Sequence, residues 1–196
     1  MRIIGGIRKG HTILCPKSRM IRPTTDFLRE YIFNVLNNYT SDSVVLDLFA
    51  GTGSLGLEAL SRGAAKAIFI EKNKTFGKTL KKNIEKLRFG SISQIIINDV
   101  FTCLKNKSNL AQSFDLIFAD PPYHSNYYLR LVNLINEKQY LKSNGLFVIE
   151  HDDDCPLNDT VTNFKLVKRK EAGKSTISIF ENRRGDLEDR DISRNF

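Results

Sequence analysis

The chain has 196 residues, of which 41% are hydrophobic and 27% charged, and it carries a formal net charge of +8. These values are typical of one soluble globular domain, whose core should need no disulfide or metal support. The excess of Lys and Arg favours a polyanionic partner, although a generally basic surface without a partner would give the same composition. The start MRIIGGIRKG lacks the apolar core of a signal peptide, and no apolar run approaches the about 20 residues that span a bilayer. We therefore expect a cytoplasmic monomer that binds no membrane.

Cysteine and histidine residues are few and widely separated: Cys15, Cys103, Cys155, His11, His124 and His151. Three cysteines without a CxxC pair indicate neither a disulfide framework nor a zinc site, and they fit reduced thiols in a cytosolic protein. The histidines have no acidic or cysteine partners at ligand spacing, so structural or surface roles are favoured. We expect no bound metal.

The first 40 residues predict a β-hairpin followed by a helix. Two β-prone runs within residues 2 to 14 are separated by Arg-Lys-Gly, a pattern typical of a hairpin with a basic tip. In RPTTDFLREYIFNVLNN, Thr25 is a good helix N-cap, and apolar residues recur near helical spacing. These apolar residues are Leu28, Ile32, Val35 and Tyr39.

Basic residues are concentrated in this N-terminal part. Residues 1 to 30 hold seven basic side chains against two acidic ones, which gives +5 of the total charge of +8. Such a concentration is the electrostatic footprint of a nucleic-acid surface. The candidates for this contact are Arg2, Arg8, Lys9, Lys17 and Arg22. The alternative for Arg22, and also for Arg29, is an ion pair with an acid of the same helix.

From residue 44 onward, predicted strands and helices alternate, which is the signature of a mainly parallel sheet with helices on both faces. Strands are predicted at 44–49, 67–71, 94–99, 114–119 and 145–150. One helix is predicted from about Gly53 to Arg62, before the capping Gly63, and another at 73–88 with a lysine-rich, solvated side.

The end of the chain predicts a change of direction in the sheet. The β-like runs 164–170 and 175–181 are joined by Ala172-Gly173, which favours an antiparallel hairpin. The last residues, 182–196, are expected to form a polar tail. We therefore expect one domain, 1–181, that comprises an N-terminal part at 1–40 and a core at 41–181.

Each of the first four predicted strands of this core ends at or near an acid: Asp47, Glu71, Asp99 and Asp120. Because ligands of open α/β sheets bind outside the carboxyl ends of the strands, four acids at one rim predict a binding site there. A helix N-cap is an alternative role for Asp99, before the segment that begins at Val100, and both roles could coexist.

The sequence FAGTGSLG follows the first strand, and its three glycines satisfy GxGxxG, which permits a tight turn and close approach of a ligand to the backbone. The motif fits a dinucleotide site, with Glu71 at the spacing of a ribose-binding acid. Asp47, however, would oppose the charge of a pyrophosphate and suits a ligand with an ammonium group. S-Adenosylmethionine is such a ligand, and its ribose hydroxyls and adenine amine match acceptors at Glu71 and Asp99.

The stretch LIFADPPYHSNYY ends the fourth strand with a rigid turn, since proline has no N–H and a fixed φ. The exocyclic amine of a purine is a poor nucleophile because its lone pair is delocalised into the ring. The Asp120 carboxylate and the Pro121 carbonyl can accept its hydrogens and aim the lone pair at a methyl group, while Pro122 helps to stiffen the loop. Tyr123 offers a face for an extruded base. A simple strand-closing turn is the alternative, but it gives the tyrosine no role.

These motifs resemble those of a known superfamily. VLDLFAGTGSLGLEALSRGA, FIEKN, NDV and DLIFADPPY are similar to the successive motifs of class I S-adenosylmethionine-dependent methyltransferases, and DPPY resembles the members that act on exocyclic amines. GGIRKGHTILCP, IRPTTDFLREYIFNVL and GKSTISIFE resemble the RsmD family, bacterial methyltransferases that modify guanine N2 in 16S ribosomal RNA. The resemblance covers nearly the whole chain up to about residue 181.

The resemblance implies a Rossmann-like α/β fold, with a mostly parallel seven-stranded sheet, an antiparallel last strand and helices on both faces. It implies S-adenosylmethionine as cofactor and 16S ribosomal RNA or the small ribosomal subunit as partner. The cofactor-binding residues are then expected to be Asp47, Phe49, Ala50, Gly51, Thr52, Gly53, Glu71, Lys72, Asp99, Val100 and Asp120. The catalytic residues are expected to be Asp120, Pro121, Pro122 and Tyr123, and the basic N-terminal candidates are expected to bind RNA.

Three other functions fit parts of the pattern. A DNA adenine-N6 methyltransferase can share DPPY, but this short chain leaves little room for a domain that recognises DNA sequence. An NAD-dependent oxidoreductase would bind NADH at the glycine loop. A ribosome-assembly factor that has lost catalysis would bind RNA only, and the intact acids at all four strand ends argue against it.

Overall fold

The computed structural model of the chain describes residues 1–16, 26–106, 108, 110–122, 127–152, 160–173 and 175–184. The strands are β1 Val44–Leu48, β2 Lys66–Ile70, β3 Ser93–Ile96, β4 Phe114–Ala119, β5 Leu141–Asp152, β6 Thr160–Val161, β7 Phe164–Ala172 and β8 Ser175–Asn182. The α-helices are α1 Asp26–Leu36, α2 Ser54–Ser61, α3 Lys74–Leu87, α4 Val100–Lys105 and α5 Tyr127–Glu137. Short 3-10 turns lie at Gly6–Arg8, Asn37–Tyr39 and Gly90–Ile92. Within the described ranges, no helix combines the length and apolarity needed to cross a membrane.

One sheet contains these strands in the order β3-β2-β1-β4-β5-β8-β7-β6. The strands from β3 to β5 are parallel to one another, as their apolar and β-branched sequences predict for strands covered on both faces. The chain moves outward from β1 through β2 to β3 and then returns to the other side of β1 with β4. β1 and β4 therefore border the point at which open α/β sheets bind their ligands. The predicted, mainly parallel architecture is confirmed.

The edge of the sheet beyond β5 is antiparallel, because β8 lies between β5 and β7 and opposes both. The predicted hairpin of runs 164–170 and 175–181 is confirmed as β7 and β8. Seven of the strands have four residues or more, as predicted, and β6 adds a two-residue strand at the edge. β5 starts earlier than the predicted residue 145, because Leu141 already pairs with Phe114 of β4.

Two apolar cores fill the two faces of the sheet. The N-terminal segment, α1, α2 and α3 pack on one face, which we call the first face, through buried residues such as Ile3, Phe33 and Leu80. α4 and α5 pack on the opposite or second face, through residues such as Phe101 and Leu131. Burial of this apolar area is the main force that holds helices and sheet together, and helices cover both faces as predicted.

α3 shows how local sequence sets an element that borders the site. The Asn73 side chain accepts the N–H groups of Thr75 at 2.8 Å and Phe76 at 3.2 Å, which is the geometry of a helix N-cap. Arg88 adopts a left-handed φ of 60° at the other end and stops the helix. Both ends agree with the predicted range 73–88.

The N-terminal residues fold back on themselves, as the predicted hairpin requires, but with one isolated antiparallel bridge, between Arg2 and Thr12, in place of two strands. The Ile3 N–H donates to the His11 carbonyl at 2.9 Å, and the Gly10 N–H donates to the Ile3 carbonyl at 2.8 Å. The 3-10 turn in the middle leaves flanking runs that are too short for regular strands.

The helix predicted after this segment is confirmed as α1, with Leu28 and Ile32 buried. It ends at Leu36, before the predicted Tyr39, because Asn37 adopts a left-handed φ of 36° and the chain continues as a 3-10 turn. Thr25, the predicted N-cap, lies outside the described residues.

Two buried polar side chains fasten the N-terminal segment to the first face. Glu58 of α2 is fully buried and accepts the Ile4 N–H at 2.8 Å. Asn83 of α3 accepts the Leu14 N–H at 2.7 Å and donates to the carbonyls of Leu14 and Thr52, both at 3.0 Å. Because the Glu58 and Asn83 side chains are themselves fully buried, loss of these hydrogen bonds would leave a desolvated polar group without a partner. Asn83 thereby also fixes the loop that follows β1.

Candidate active site

The parallel strands end at a common level. One row of register partners crosses β3, β2, β1, β4 and β5: Ile96, Ile70, Leu48, Ala119 and Ile149. Glu71 directly follows the end of β2, and Asp120 directly follows the end of β4. The loops after β2, β1 and β4 therefore start side by side, about 4.8 Å apart. The rim predicted from the sequence exists in the structure.

The glycine loop between β1 and α2 is a tight turn. The Gly53 N–H donates to the Ala50 carbonyl at 2.7 Å, and φ is 59° at Phe49, 55° at Gly51 and 87° at Gly53. A side chain at Gly53 would collide with Leu80, whereas one at Gly51 would meet nothing closer than the Phe49 carbonyl oxygen at 4.0 Å. Gly51 therefore needs its backbone angle and also leaves open space in which a ligand can approach the loop.

Glu71 is fixed by two backbone donors. Its Oε2 accepts the Gly51 N–H at 2.7 Å, and its Oε1 accepts the Asn73 N–H at 2.6 Å. Each carboxylate oxygen retains a second lone pair, so two neighbouring hydroxyl groups of a ligand can donate to the same carboxylate. The bond to Gly51 also ties the glycine loop to β2.

Asp47 lies within β1, is only 3% exposed and accepts the Gly56 N–H at 2.9 Å. Burial raises the pKa of Asp47 to about 7; the bond from Gly56 lowers this pKa, and the nearby Glu71 carboxylate raises it. Negative charge this close to a second acid favours a cation nearby. Since so little of Asp47 is exposed, its effect on a cationic ligand is mainly electrostatic.

Asp99 begins α4 and accepts the Thr102 N–H at 3.1 Å, so the N-cap role that the sequence allowed is confirmed. This bond uses Oδ1, which keeps capping compatible with a contact to an adenine amine. Val100, the next residue, is buried in the second-face core. The adenine contact of both residues stays a prediction.

The remaining cofactor candidates occupy the same loops. Ala50 and Thr52 are buried in the glycine loop, and the Thr52 carbonyl is held by Asn83. Lys72 is exposed, directly after Glu71. Their contacts with a cofactor stay predictions.

The DPPY corner begins beside the glycine loop. Asp120 and Pro121 are half-buried and Pro122 is exposed. The register of β1 with β4 places Asp120 next to Phe49, at the start of the glycine loop. Tyr123 lies outside the described residues, so its predicted stacking role stays a prediction.

An aromatic cluster that sequence reasoning missed lies at the same rim. Phe49 stacks on Tyr127, with ring centroids 6.0 Å apart and planes at 8°, and Phe101 meets Tyr127 edge-on at 4.8 Å. The Arg130 guanidinium carbon lies 3.8 Å from the Phe101 ring centroid. The cluster joins the loop after β1 to α4 and α5 and buries one wall of the rim. The local signals for it were Phe49, directly after β1, and Phe101, in the first turn of α4.

Comparison with known proteins gives the family. Residues 1–181 match the family described as "Conserved hypothetical protein 95". The chain is 38% identical over 182 residues to ribosomal RNA small subunit methyltransferase D of Haemophilus influenzae, covering 93% of this chain and 94% of the relative. It is 36% identical over 183 residues to the putative rRNA methyltransferase YlbH of Bacillus subtilis, covering 93% of this chain and 100% of that relative. The chain belongs to the RsmD family. The resemblance inferred from its motifs is confirmed.

Solved structures agree with this membership of the RsmD family. The putative methyltransferase yhhF from Escherichia coli superposes with a TM-score of 0.85 at 32% identity, covering 93% of this chain and 98% of the other. An RNA methyltransferase from Salinibacter ruber, solved with S-adenosyl-L-homocysteine, shares the fold at 15% identity, with a TM-score of 0.62 and coverage of 83% and 94%. The predicted Rossmann-like methyltransferase fold is confirmed.

In this RsmD-family chain, the basic tip of the N-terminal segment lies at the end of α2 opposite to the glycine loop. The Arg8 N–H donates to Ser61 Oγ at 3.0 Å, and Arg8 Nε donates to the Leu87 carbonyl at 2.8 Å. Ser61 and Leu87 are the last residues of α2 and α3, and α2 begins at the glycine loop. The eight residues of α2 correspond to a separation of about 12 Å. Arg8 therefore has a structural role at the helix ends.

The other predicted RNA contacts are dispersed. Lys9 is exposed beside the same tip. Arg2 is exposed and forms a long ion pair with Asp26 at 3.8 Å. Lys17 and Arg22 lie outside the described residues. RNA binding by these five basic residues stays a prediction.

Proposed function

We propose that this protein transfers a methyl group from S-adenosylmethionine to the exocyclic N2 of a guanine in bacterial 16S ribosomal RNA, within the small ribosomal subunit. Relatives of the same family that are named ribosomal RNA small subunit methyltransferase D support methyl transfer to this RNA. The guanine amine as target is supported by the DPPY corner, whose acceptors suit an exocyclic amine.

The observation that carries the proposal is the register of β1 with β4. Leu48 pairs with Ala119, so the glycine loop and the DPPY corner start on adjacent strands. A cofactor bound at the glycine loop and a base bound at the DPPY corner would meet along one rim. Methyl transfer requires such contact between donor and acceptor atoms, because positioning provides most of the catalysis when no covalent enzyme intermediate forms.

The residues of the rim fit S-adenosylmethionine. The Glu71 carboxylate is fixed by two N–H groups and has lone pairs left for two ribose hydroxyls. Gly51 leaves open space at the loop, and the two neighbouring acids, Asp47 and Glu71, favour a cationic amino acid end. When bound, the cofactor supplies a methyl group made electrophilic by its sulfonium.

Asp120 and Pro121 hold the nucleophile. The carboxylate and the carbonyl accept the two hydrogens of the guanine amine, which turns the nitrogen lone pair out of the ring plane and toward the methyl carbon. Formation of the N–C bond would be matched by cleavage of the S–C bond, whose electron pair would stay on the sulfur of the departing neutral thioether. The nitrogen then releases one proton, so the methylated amine is neutral.

The test is methyl transfer to small ribosomal subunits that lack the modification. We expect labelled cofactor to transfer its methyl group to the RNA, and mass spectrometry of the digested RNA to find N2-methylguanosine. A methyl group on adenine N6 or any other position would overturn the substrate. RNA binding without transfer would identify an assembly factor that lacks catalysis.

A further inference from the structure

β7 carries a concentration of positive charge that the proposed reaction does not use. Its nine residues include four basic side chains and one acidic side chain. They are Lys165, Lys168, Arg169, Lys170 and Glu171. All five are exposed. Glu181, the acid of the neighbouring β8, is paired with Arg183 at 2.8 Å, which leaves the positive charge of the β7 lysines in excess.

Two of these lysines project on the first face. Lys168 pairs with Ile179 of β8, and Lys170 pairs with Ile177. Both isoleucines belong to the first-face core. Because direct register partners in a sheet project on the same side, the two lysines lie on the face that also carries α1 and the N-terminal segment.

The helices leave the first face open along the start of β7, next to these lysines. Val167 is 47% exposed in β7, and Tyr39, at the end of the turn after α1, is 54% exposed. An open groove of about 420 Å³ runs between them, lined by residues that include Val35, Lys165 and Ile179. A macromolecule can therefore lie along β7 without displacing a helix.

The register places the positive charge at the level of the active site. Ala119, the last residue of β4, pairs with Ile149, which pairs with Ser178, which pairs with Arg169. Lys170 is one residue further along β7, as Asp120 is one residue beyond β4. The two are separated by three strand spacings, or about 14 Å. A helical strand of nucleic acid with a rise of 3.4 Å covers this distance in about four nucleotides.

We propose that β7 binds the phosphate backbone of the RNA that flanks the target guanine, through Lys168 and Lys170. This inference rests on the proposed function and extends it by naming where the flanking RNA lies. Ammonium groups at this position neutralise phosphates and release counterions, which adds affinity without base specificity. The contact holds the RNA on the antiparallel edge while the target base reaches the rim at Asp120.

The experiment compares the wild-type chain with the double variant Lys168→Gln and Lys170→Gln over a series of KCl concentrations. Two quantities are measured: binding to a fluorescent transcript of 16S ribosomal RNA by anisotropy, and methyl transfer to small subunits that lack the modification. We expect binding about tenfold weaker at low salt. The slope of log K against log[KCl] should be shallower by about 2. KM for the small subunit should rise while kcat and cofactor affinity stay unchanged.

A matched control removes the same charge elsewhere on the first face. Lys81→Gln with Lys82→Gln changes two exposed lysines of α3, which packs at the opposite, β3 end of the sheet. An unchanged salt slope in the β7 variant would overturn the inference, as would an equal change in the α3 variant. Restoration of the slope by Lys168→Arg with Lys170→Arg would support it. If the wild type binds the transcript through β7 but transfers no methyl group, the proposed function is wrong and β7 is still supported as an RNA-binding surface.

Discussion

The parallel half of the sheet and its antiparallel edge differ in the sign and in the exposure of their charged side chains. In β1 to β5, acids occur singly, at or near strand ends, and Asp47 and Glu71 are almost fully buried. In β7, basic residues follow one another and are exposed. Buried, fixed acids suit a small ligand that must be held in one geometry, whereas exposed lysines suit a long polyanion whose phosphates need only be nearby.

We therefore expect the positioning of the reactants and the affinity for RNA to depend on separate parts of one fold. Strands that end in one row bring the glycine loop, Glu71 and Asp120 together, and an error in their register would move every side chain to the other face. The exposed side chains of β7 are under no such constraint, so we expect this strand to tolerate changes of surface charge. Substitutions in the two regions should therefore affect different kinetic constants.

The largest effect is expected for Asp120→Ala. The side chain is one of the two acceptors proposed to aim the amine, so its loss should lower kcat about 100- to 1000-fold, the range found for a single positioned catalytic group. Cofactor affinity should change less than about twofold, since Glu71 and the glycine loop remain. Single-turnover methyl transfer and calorimetry with the cofactor measure the two effects.

Asp115→Asn is the matched control, because Asp115 lies near the start of β4 and Asp120 directly follows the end of the same strand. Its Oδ2 accepts the Val44 N–H at 2.9 Å, which an asparagine oxygen can still do, and it pairs with Lys142 at 2.9 Å near the surface. If Asp115→Asn lowers kcat as much as Asp120→Ala does, then the loss in Asp120→Ala comes from disrupted folding of β4. Normal kcat in Asp120→Ala would remove that residue from the mechanism.

Glu71→Gln should have the next largest effect, on cofactor binding. The amide has no charge and only one acceptor oxygen, and its NH2 group cannot accept the N–H of Gly51 or Asn73. Both the backbone bonds and the bonds to ligand hydroxyls therefore weaken. We expect Kd for the cofactor to rise about 10- to 100-fold, which corresponds to one or two charge-assisted hydrogen bonds. Isothermal calorimetry measures it. Glu85→Gln, on the exposed side of α3, should leave Kd unchanged, and wild-type affinity in Glu71→Gln would contradict the ribose role.

Asp47→Asn should have a moderate effect that depends on pH. The pKa of Asp47 is raised from 3.8 to about 7 in the folded protein, so the folded state binds the proton more tightly than the unfolded state. Its contribution to stability is complete below about pH 4 and is lost as pH rises to 7, where the buried carboxyl must ionise. The asparagine can keep the bond from Gly56 without ionising, so the variant should melt at a higher temperature than the wild type at pH 8, and the difference should shrink at pH 5.

The same substitution should remove a pH dependence of cofactor binding. A cationic ligand favours the ionised form of Asp47, so wild-type affinity for the cofactor should rise as pH increases through 7. Calorimetry at pH 6 and pH 8 measures this rise, which asparagine cannot produce. An equal rise in the variant would assign the dependence to another group.

The sequence predicted the order and direction of the strands in the parallel half of the sheet, but β3 ends at Ile96 and not at the predicted residue 99. The strands of this half are apolar runs with clear ends, and the motifs FAGTG and ADPPY stand directly after two of them, so the neighbouring loops could be inferred from topology rules alone. The N-cap at Asp99 could also be predicted, because it depends only on the few residues at the start of α4. Family membership then followed from motifs spread over nearly the whole chain.

Features that depend on contacts between distant segments could not be predicted. The stacking of Phe49 on Tyr127 joins residues far apart in sequence. The raised pKa of Asp47 depends on how deeply the carboxyl is buried. Its position in an apolar run of the sequence does not give that depth. The position of the basic tip, against the ends of α2 and α3, follows from packing of the N-terminal segment on the first face. The concentration of basic residues in the N-terminal part predicted RNA contacts there, and this stays a prediction.

The smallest effect is expected for Lys9→Gln, which separates the two basic surfaces. Lys9 is exposed at the N-terminal tip, about one α2 length, or roughly 12 Å, from the glycine loop. Lys170 is level with Asp120 across the sheet. If the flanking RNA follows β7, Lys9→Gln should change the salt slope of RNA binding by less than about 0.3, whereas Lys170→Gln should change it by about 1. Anisotropy titrations of the two single variants with the 16S transcript measure both slopes. A larger change for Lys9→Gln would place the RNA on the N-terminal tip, because each charge removed from the true path costs one released counterion.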